Sequence, residues 1–506
     1  MANENIDFAG DFVLPEIVLH NHKNKGRVQD GNKLGVDIKH MVQEFNIFES
    51  MFSGAITGSM VLADTTNLIG TLPIQGTERL SFKLSTPGQP TIDCTDESGH
   101  PMHIYKLTDK QQAKDGMQVY ILHFCSREFL RNLRTKVSKA YSGRLDQMVS
   151  SIMNDEELID TRKDLFFQKT RNQDKIVMPN KRPFSAISML CKRAMADDSK
   201  GVGYYFWETT KGFHFRSWES LCVNSNHKAR PAKQVFRYMA MNIDDPEVND
   251  KIIHDYTSVE DYKFVNNFHD IAANTALGTY AHKVITHNIY NKSYKEDKFH
   301  YHNDYNKTGH TEQNVPIVDT PVDYDNLGIS DYENSRVTVQ PTTQFAHNEG
   351  TGAFGIDVEL DGKTEGLRES LVNQTIAGTK LVMTVKGQSI LEVGDVIRFD
   401  LISVENRVSS AGRLDPQYSG RYIITKIRHR VTKDDYKMVL ECSKDSVARP
   451  YSDANTDRFP GKEPQTYSDT IDINDRETVQ NTRANAYLEN DPSIGAYTDI
   501  GALYDY

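Results

Sequence analysis

Seven of the 17 histidines fall between 254 and 310: His254, His269, His282, His287, His300, His302 and His310. Imidazoles close together hold transition metals, and on a strand His300 and His302 would point to one face and share an ion. No carboxylate or third imidazole follows at a ligand spacing, so solvated or interfacial histidines are the plainer reading. Gly362-Lys-Thr364 resembles the end of a phosphate-binding loop, but Asp357 stands where the leading glycine belongs, and the backbone cannot wrap phosphates there. Asp323-Tyr-Asp325-Asn-Leu-Gly328 imitates the start of a calcium loop. Leu327 occupies a ligand position and Asn334 replaces the closing glutamate, so a polar turn explains the run better. Arg127, Arg131, Arg134, Lys136, Lys139 and Arg144 form a basic run opposed only by Glu128. It would contact phosphate or, the reading adopted here, face water or an acidic neighbour. Nucleophile elbows, zinc-protease helices and cysteine-nucleophile motifs are missing from the sequence, and no glycosidase pair of carboxylates can be picked out. The expectation is a protein that is not an enzyme and carries no metal and no cofactor.

The elements that would position these residues are mostly strands. Glu16–Leu19, Val36–Phe52, Thr57–Leu62, Leu80–Leu84 and Val119–Phe124 read as β, punctuated by Gly, Pro, Asn and Asp, which suggests a small barrel or sandwich. Helical spacing then takes over. Leu145, Met148, Val149, Ile152 and Met153 line one face of a helix with Ser142 as its N-cap, and Pro183 opens a second helix carrying Ile187, Leu190, Cys191 and Ala194. Ile176–Met178 reads as a strand, and Tyr204–Trp207 with Phe213–Phe215 as a hairpin through Thr210-Lys-Gly212. Val235–Asn242, Leu381–Val385, Asp395–Phe399, Tyr422–Ile427 and Tyr436–Cys442 complete a second β region. Residues 451–506 have no apolar period and hold eleven Asp/Glu against four Lys/Arg, which reads as an acidic flexible tail.

The whole chain has 506 residues and a net charge of −11, too long for one core and too acidic for a dedicated duplex-DNA binder. It has no run of 18 apolar residues and its opening lacks a signal pattern, so a soluble, non-secreted protein is expected. Cys94, Cys125, Cys191, Cys222 and Cys442 are scattered, as reduced buried thiols are. At 38% hydrophobic content, burial completed against neighbours in an assembly is the natural expectation.

Several segments, in order along the chain, resemble the central baseplate hub protein of contractile-tailed bacteriophages. They are Gly58-Ser-Met-Val-Leu-Ala-Asp64, Leu72-Pro-Ile-Gln-Gly76, Lys136-Val-Ser-Lys-Ala-Tyr-Ser-Gly143, Ile176-Val-Met-Pro-Asn180 with Pro183-Phe184, and Gly278-Thr-Tyr-Ala281. Val393-Gly-Asp-Val-Ile397, Ser419-Gly-Arg-Tyr-Ile-Ile-Thr425 and Lys444-Asp-Ser446 follow. The resemblance spans roughly 10–447. It leaves most of 295–375 and the acidic tail unmatched.

The resemblance implies an α+β, mainly β chain with two small tube-like β-barrel domains, an intervening α/β domain and an insertion in the second barrel. The boundaries are 1–125 for the first barrel and 126–232 for the α/β domain. Residues 233–250 plus 376–447 make the second barrel, 251–375 the insertion and 448–506 the tail. It also implies a homotrimer forming a ring in the tail baseplate of a virion assembled in the host cytoplasm. The ring adapts a six-fold tail tube to a three-fold spike, beside other baseplate proteins, with genomic DNA only in transit and no membrane. A tail-associated cell-wall hydrolase is the alternative. The positions carrying the resemblance, expected to be structural, are Pro179, Asn180, Pro183, Phe184, Gly278, Tyr280, Gly394, Asp395, Gly420 and Tyr422.

Overall fold

The computed structural model describes residues 9–20, 35–71, 74–114, 116–199, 201–224, 228–238, 255–266, 270–288, 294–312, 314–317, 327–342, 378–402, 414–415 and 417–448, with 292, 368, 370 and 372 besides. His254, His269, Asp323, Asp325, Gly362, Lys363, Thr364 and the acidic tail lie outside them.

The amino-terminal strands are β1 (Ile17–His20), β2 (Val36–Asp37), β3 (Val42–Ser50), β4 (Thr57–Asp64), β5 (Arg79–Leu84), β6 (Ile92–Cys94), β7 (Met102–Lys114) and β8 (Met117–Cys125), with the one-turn helix α1 (Leu68–Thr71) between β4 and β5. In β4 the alternation is visible residue by residue. Gly58, Met60, Leu62 and Asp64 face inward, while Ser59, Val61 and Ala63 are half-buried, as the period of two requires. Phe45, Phe82 and Phe124 from three different strands meet with centroids 4.8, 5.3 and 6.0 Å apart. Each such fully buried ring stabilises the fold by about 1.5–3 kcal/mol. Gly58 makes this cluster possible, since a Cβ there would lie 2.1 Å from the Phe124 ring.

The middle block holds α2 (Arg127–Arg134), β9 (Ala140–Arg144), α3 (Leu145–Asn154), β10 (Asp164–Phe167), β11 (Gln173–Val177), α4 (Pro183–Cys191), β12 (Tyr204–Thr209), β13 (Gly212–Ser217) and α5 (Trp218–Cys222). Pro183 does stand in the first turn of its helix. Ser142 is not a cap: it lies inside β9, paired with Lys175, and Arg144 occupies the N-cap position instead. The predicted helix faces do meet, with Met148, Val149 and Ile152 packed together with Ile187 and Leu190. The hairpin β12–β13 turns at Thr210-Lys211, and β10 adds to it in parallel.

The rest of the described chain comprises β14 (Gln234–Tyr238), β15 (Val259–Asn266), α6 (Ile271–Ala276), β16 (Ala281–Asn288), β17 (Tyr294–His300), α7 (Tyr301–Asp304), β18 (Val337–Thr342), β19 (Thr379–Lys386), β20 (Val396–Leu401), β21 (Gly420–Thr432) and β22 (Tyr436–Lys444). β16, β17 and β18 form a small separate sheet over a core of Tyr280, Phe299, Tyr301, Tyr305 and Ile329. The others form a second β region in which Leu381, Met383 and Val385 point inward and alternate residues outward.

The chain is mainly β, as expected, and among the described residues none of its sheets closes on itself. The strands of the two β regions belong to one fourteen-stranded sheet, in the order β15-β19-β22-β21-β3-β4-β8-β7-β5-β1-β2, with β14, β20 and β6 branching from it. The join is antiparallel pairing of β21 with β3, from Lys426 opposite Ser50 to Thr432 opposite Glu44.

Candidate functional site: the seam of the sheet

A seam between two halves of one sheet can leave few of its buried polar groups without partners. At its open end Glu44 accepts from Arg428 at 3.1 Å and from Arg430 at 2.9 Å, while Arg428 also donates to the Asn46 amide oxygen at 3.0 Å. Burial alone would raise the Glu44 carboxyl; its bonds to Asn46 and Arg430 and the two arginine charges bring it below its ordinary value. Further along, Thr86 and Ser389 exchange bonds, each amide donating to the other's hydroxyl at 3.1 and 3.2 Å.

The opposite end of the seam receives the β12–β13 hairpin. Trp207, fully buried, donates from Nε1 to the Val393 carbonyl at 3.2 Å, and its ring stacks on His214 at 5.0 Å. Gly394, two bonds along, has φ +96°, and a Cβ there would sit 3.0 Å from the Trp207 ring. Asp395 closes the turn by accepting from the Glu392 amide at 3.0 Å and from Lys233 Nζ at 2.7 Å. Glu49, the penultimate residue of β3, is 1% exposed and accepts from the Thr210 amide at 3.2 Å. Burial and the nearby Glu392 push its carboxyl up to about 8, so it is protonated at neutral pH.

Two buried charge clusters fix the middle block at either side. Glu208 on β12 accepts from the Ile56 amide and the Ser126 hydroxyl, both at 2.7 Å, and from the Lys163 ammonium. Burial alone would lower Lys163, but Glu208 and Glu128 reverse this and hold it charged. Asp445, just past β22, accepts from Trp218 Nε1 at 3.1 Å, His310 Nδ1 at 2.9 Å and the Thr311 amide at 3.0 Å. His310 Nε2 faces the Tyr305 carbonyl at 2.9 Å, so both ring nitrogens have acceptors and the ring is an imidazolium. Burial opposes that charge, but Asp445 raises His310 above its ordinary value.

The residues singled out from the sequence fall in five places. Pro179 and Asn180, the latter at φ +52°, make the turn after β11. Pro183 and Phe184 start α4, with the Phe184 ring 5.6 Å from Phe206 in the middle core and its amide donating to Asn132 at 2.9 Å. Gly278 (φ +73°) and Tyr280 belong to the small sheet's core, where Asn274 donates to the Tyr280 hydroxyl at 3.1 Å. Gly394 and Asp395 are at the seam. Gly420 and Tyr422 start β21, where the buried Tyr422 ring carries Lys444 Nζ 4.9 Å from its centroid. Burial lowers that lysine to about 7.

Of the candidate chemistries, the shared strand face of His300 and His302 resolves differently from the sequence reading. His300 ends β17 while His302 lies in α7, so the two share no strand face. His302 has Ser330 Oγ and the Ile317 carbonyl against its two nitrogens, each at 2.8 Å. Among the described residues, no group of three His, Cys, Asp or Glu is placed to hold a metal. The basic run faces acidic and carbonyl neighbours: Arg127 pairs with Asp160 at 2.6 Å, Arg131 with the Leu158 and Glu156 carbonyls, and Arg144 with Asp146 at 2.9 Å. All five cysteines are buried and unbridged. Sequence reasoning missed Glu49, Lys163 and Glu208. The one available signal was a carboxylate inside an apolar strand run, as in Tyr204–Thr209.

No protein-family profile matches the chain, and no curated protein matches it either. Among solved structures it is similar to a tail protein from Neisseria meningitidis MC58, with a TM-score of 0.46 and 10% identity over 85% of this chain and 97% of that one. It is similar to the 43 kDa tail protein of prophage MuSo2 from Shewanella oneidensis, with a TM-score of 0.45 and 9% identity over 85% and 99%. The prophage tail protein gp18 from Listeria monocytogenes gives 0.43 and 9% identity over 85% and 95%. The structural neighbours of this chain include tail proteins, two of them from prophages, at low sequence identity.

Proposed function

We propose that this protein is a structural hub of a phage-type contractile tail. Three copies form a ring that joins a six-fold tube to a three-fold spike and leaves a channel for DNA. The observation that carries this reading is the seam. Each chain holds two β regions, eight strands before the seam and six after it, fused edge to edge by β3 and β21. Three such chains would set six β regions around one axis, which is what a match between three-fold and six-fold objects requires.

Other features support the same reading. Among the described residues the sheet order ends at β15 on one side and β2 on the other. A ring closed edge to edge would remove these unpaired strand edges. The buried charges of Glu208, Lys163, Asp445 and His310 are satisfied within the fold, where they hold parts of the chain together. That is the economy of an assembly part, whose work is to keep its shape under load. In this proposal residues 1–125 form the first tube-like region and 126–232 the α/β block. Residues 233–250 and 376–447 form the second tube-like region, to which β15 is added from within 251–375. The partners are the tube and spike proteins in a virion baseplate.

The test is co-elution on a sizing column with tail-tube and spike proteins from the same source as this chain. Stable complexes with both, of fixed stoichiometry, are expected. Binding to neither would overturn the adaptor, and clearing of peptidoglycan in a zymogram would replace it with a hydrolase.

A further inference from the structure

Between β10, β13, α5 and the segment after α5 lies a cleft of about 530 Å³. Two of its walls carry guanidinium groups, Arg216 from β13 and Arg230. Among the described residues neither guanidinium has a hydrogen-bond or ion-pair partner, although two carboxylates line the same cleft. Those carboxylates are spent on neutral donors. Asp198 accepts from the Gln168 amide nitrogen at 3.0 Å, and Glu219 accepts from Ser199 at 2.8 Å and from the Gly309 amide at 3.0 Å. Burial and the like charge of Arg230 push the Arg216 guanidinium below its ordinary value, against the opposing influence of Asp198. Guanidinium groups left without an anion in a concave site favour a carboxylate or phosphate, which they grip with paired donors.

The rest of the lining says which anion. Phe166, 42% exposed, presents one face of its ring while His214 stacks on the other at 5.0 Å. Leu165, Phe167 and Val223 add apolar surface. A nucleic-acid backbone would bring repeated phosphates past Asp198 and Glu219, which repel them. A peptide brings one or two carboxylates for the arginines, an aromatic side chain for Phe166, and backbone N–H groups for the carboxylate oxygens.

We propose that this cleft is a docking site for an acidic peptide segment of a partner protein, in which a Glu or Asp side chain pairs with Arg216 and Arg230 beside an aromatic residue packed on Phe166. The proposal is independent of the hub reading, because any assembly partner could supply such a segment.

The test is fluorescence anisotropy with the full chain and a dansylated, C-terminally amidated tetrapeptide of alternating glutamate and phenylalanine. Saturable binding is expected, weakening as salt screens the charges. Arg216→Gln and Arg230→Gln should each weaken it at least about tenfold, and Phe166→Ala by about fivefold. If Arg216→Gln fails to fold, Arg230→Gln and Phe166→Ala still decide the matter. A peptide with glutamine in place of glutamate should not bind. No saturable binding, or binding indifferent to all three substitutions, would overturn the proposal. So would inorganic phosphate or a single-stranded oligonucleotide displacing the peptide at lower concentration than the unlabelled peptide does.

Discussion

Glu49 is a carboxyl that the fold buries beside another carboxyl, and its consequences can be read with a pH meter. Its pKa is raised from 4.5 to about 8, by burial first and by Glu392 second. A group raised in the folded state contributes stability that is whole below its unfolded pKa and is lost as the pH climbs through the folded value. For Glu49 that window runs from 4.5 to about 8. The Glu49→Gln variant, neutral throughout, should therefore gain stability relative to the parent as pH rises from 5 to 8, by at most about 1.4 kcal/mol per pH unit. Urea denaturation at three pH values checks this, and parallel curves for the two proteins would contradict it. Gly394 offers a second residue-scale test. At φ +96° with Trp207 3.0 Å from a would-be Cβ, Gly394→Ala combines backbone strain with crowding of a buried ring. A loss of roughly 1–3 kcal/mol is expected, read as a lower denaturation midpoint.

At the scale of elements, legibility followed how local the information was. β19 was legible because Leu381, Met383 and Val385 alternate with outward residues, and α4 because Pro183 sits where a helix needs no N–H donor. β7 was not, since its thirteen residues end in the polar run Thr108–Lys114 with no apolar alternation to mark it. α2 was read only as a basic run, because its arginines reach back to Asp160 and to carbonyls at 156–160 that no local pattern announces. The parallel pairing of β16 with β18 joins residues about fifty apart, and the seam pairs β3 with β21 across most of the chain. Family resemblance pointed to two β regions; it took coordinates to show the single sheet. The candidate site was legible only in part: Gly394 and Asp395 were marked by the resemblance as structural positions, while their partners Trp207, Glu49 and Lys233 come from far away in sequence.

Asp445 tests how the elements are fastened. It holds α5 through Trp218 and the 305–311 segment through His310 and Thr311, all by charge-assisted bonds. Asp445→Asn keeps the shape but leaves the His310 cation without its counter-charge. Breaking such a buried pair costs about 3–5 kcal/mol, and limited proteolysis should then cut near 305–312 faster than in the parent protein. Unchanged stability, with an unchanged rate of cleavage there, would show that this cluster fastens nothing.

For the whole molecule, the account turns on how many chains assemble. A single chain offers two β regions and two sheet ends, and only a closed ring of three would turn these into six regions around an axis. The decisive measurement is the solution mass by light scattering on a sizing column, with and without the spike protein. A mass of about 170 kDa, three times the 57.5 kDa chain, is predicted, either for the chain alone or as its contribution to a complex with the spike. A 57.5 kDa monomer under both conditions would contradict the hub.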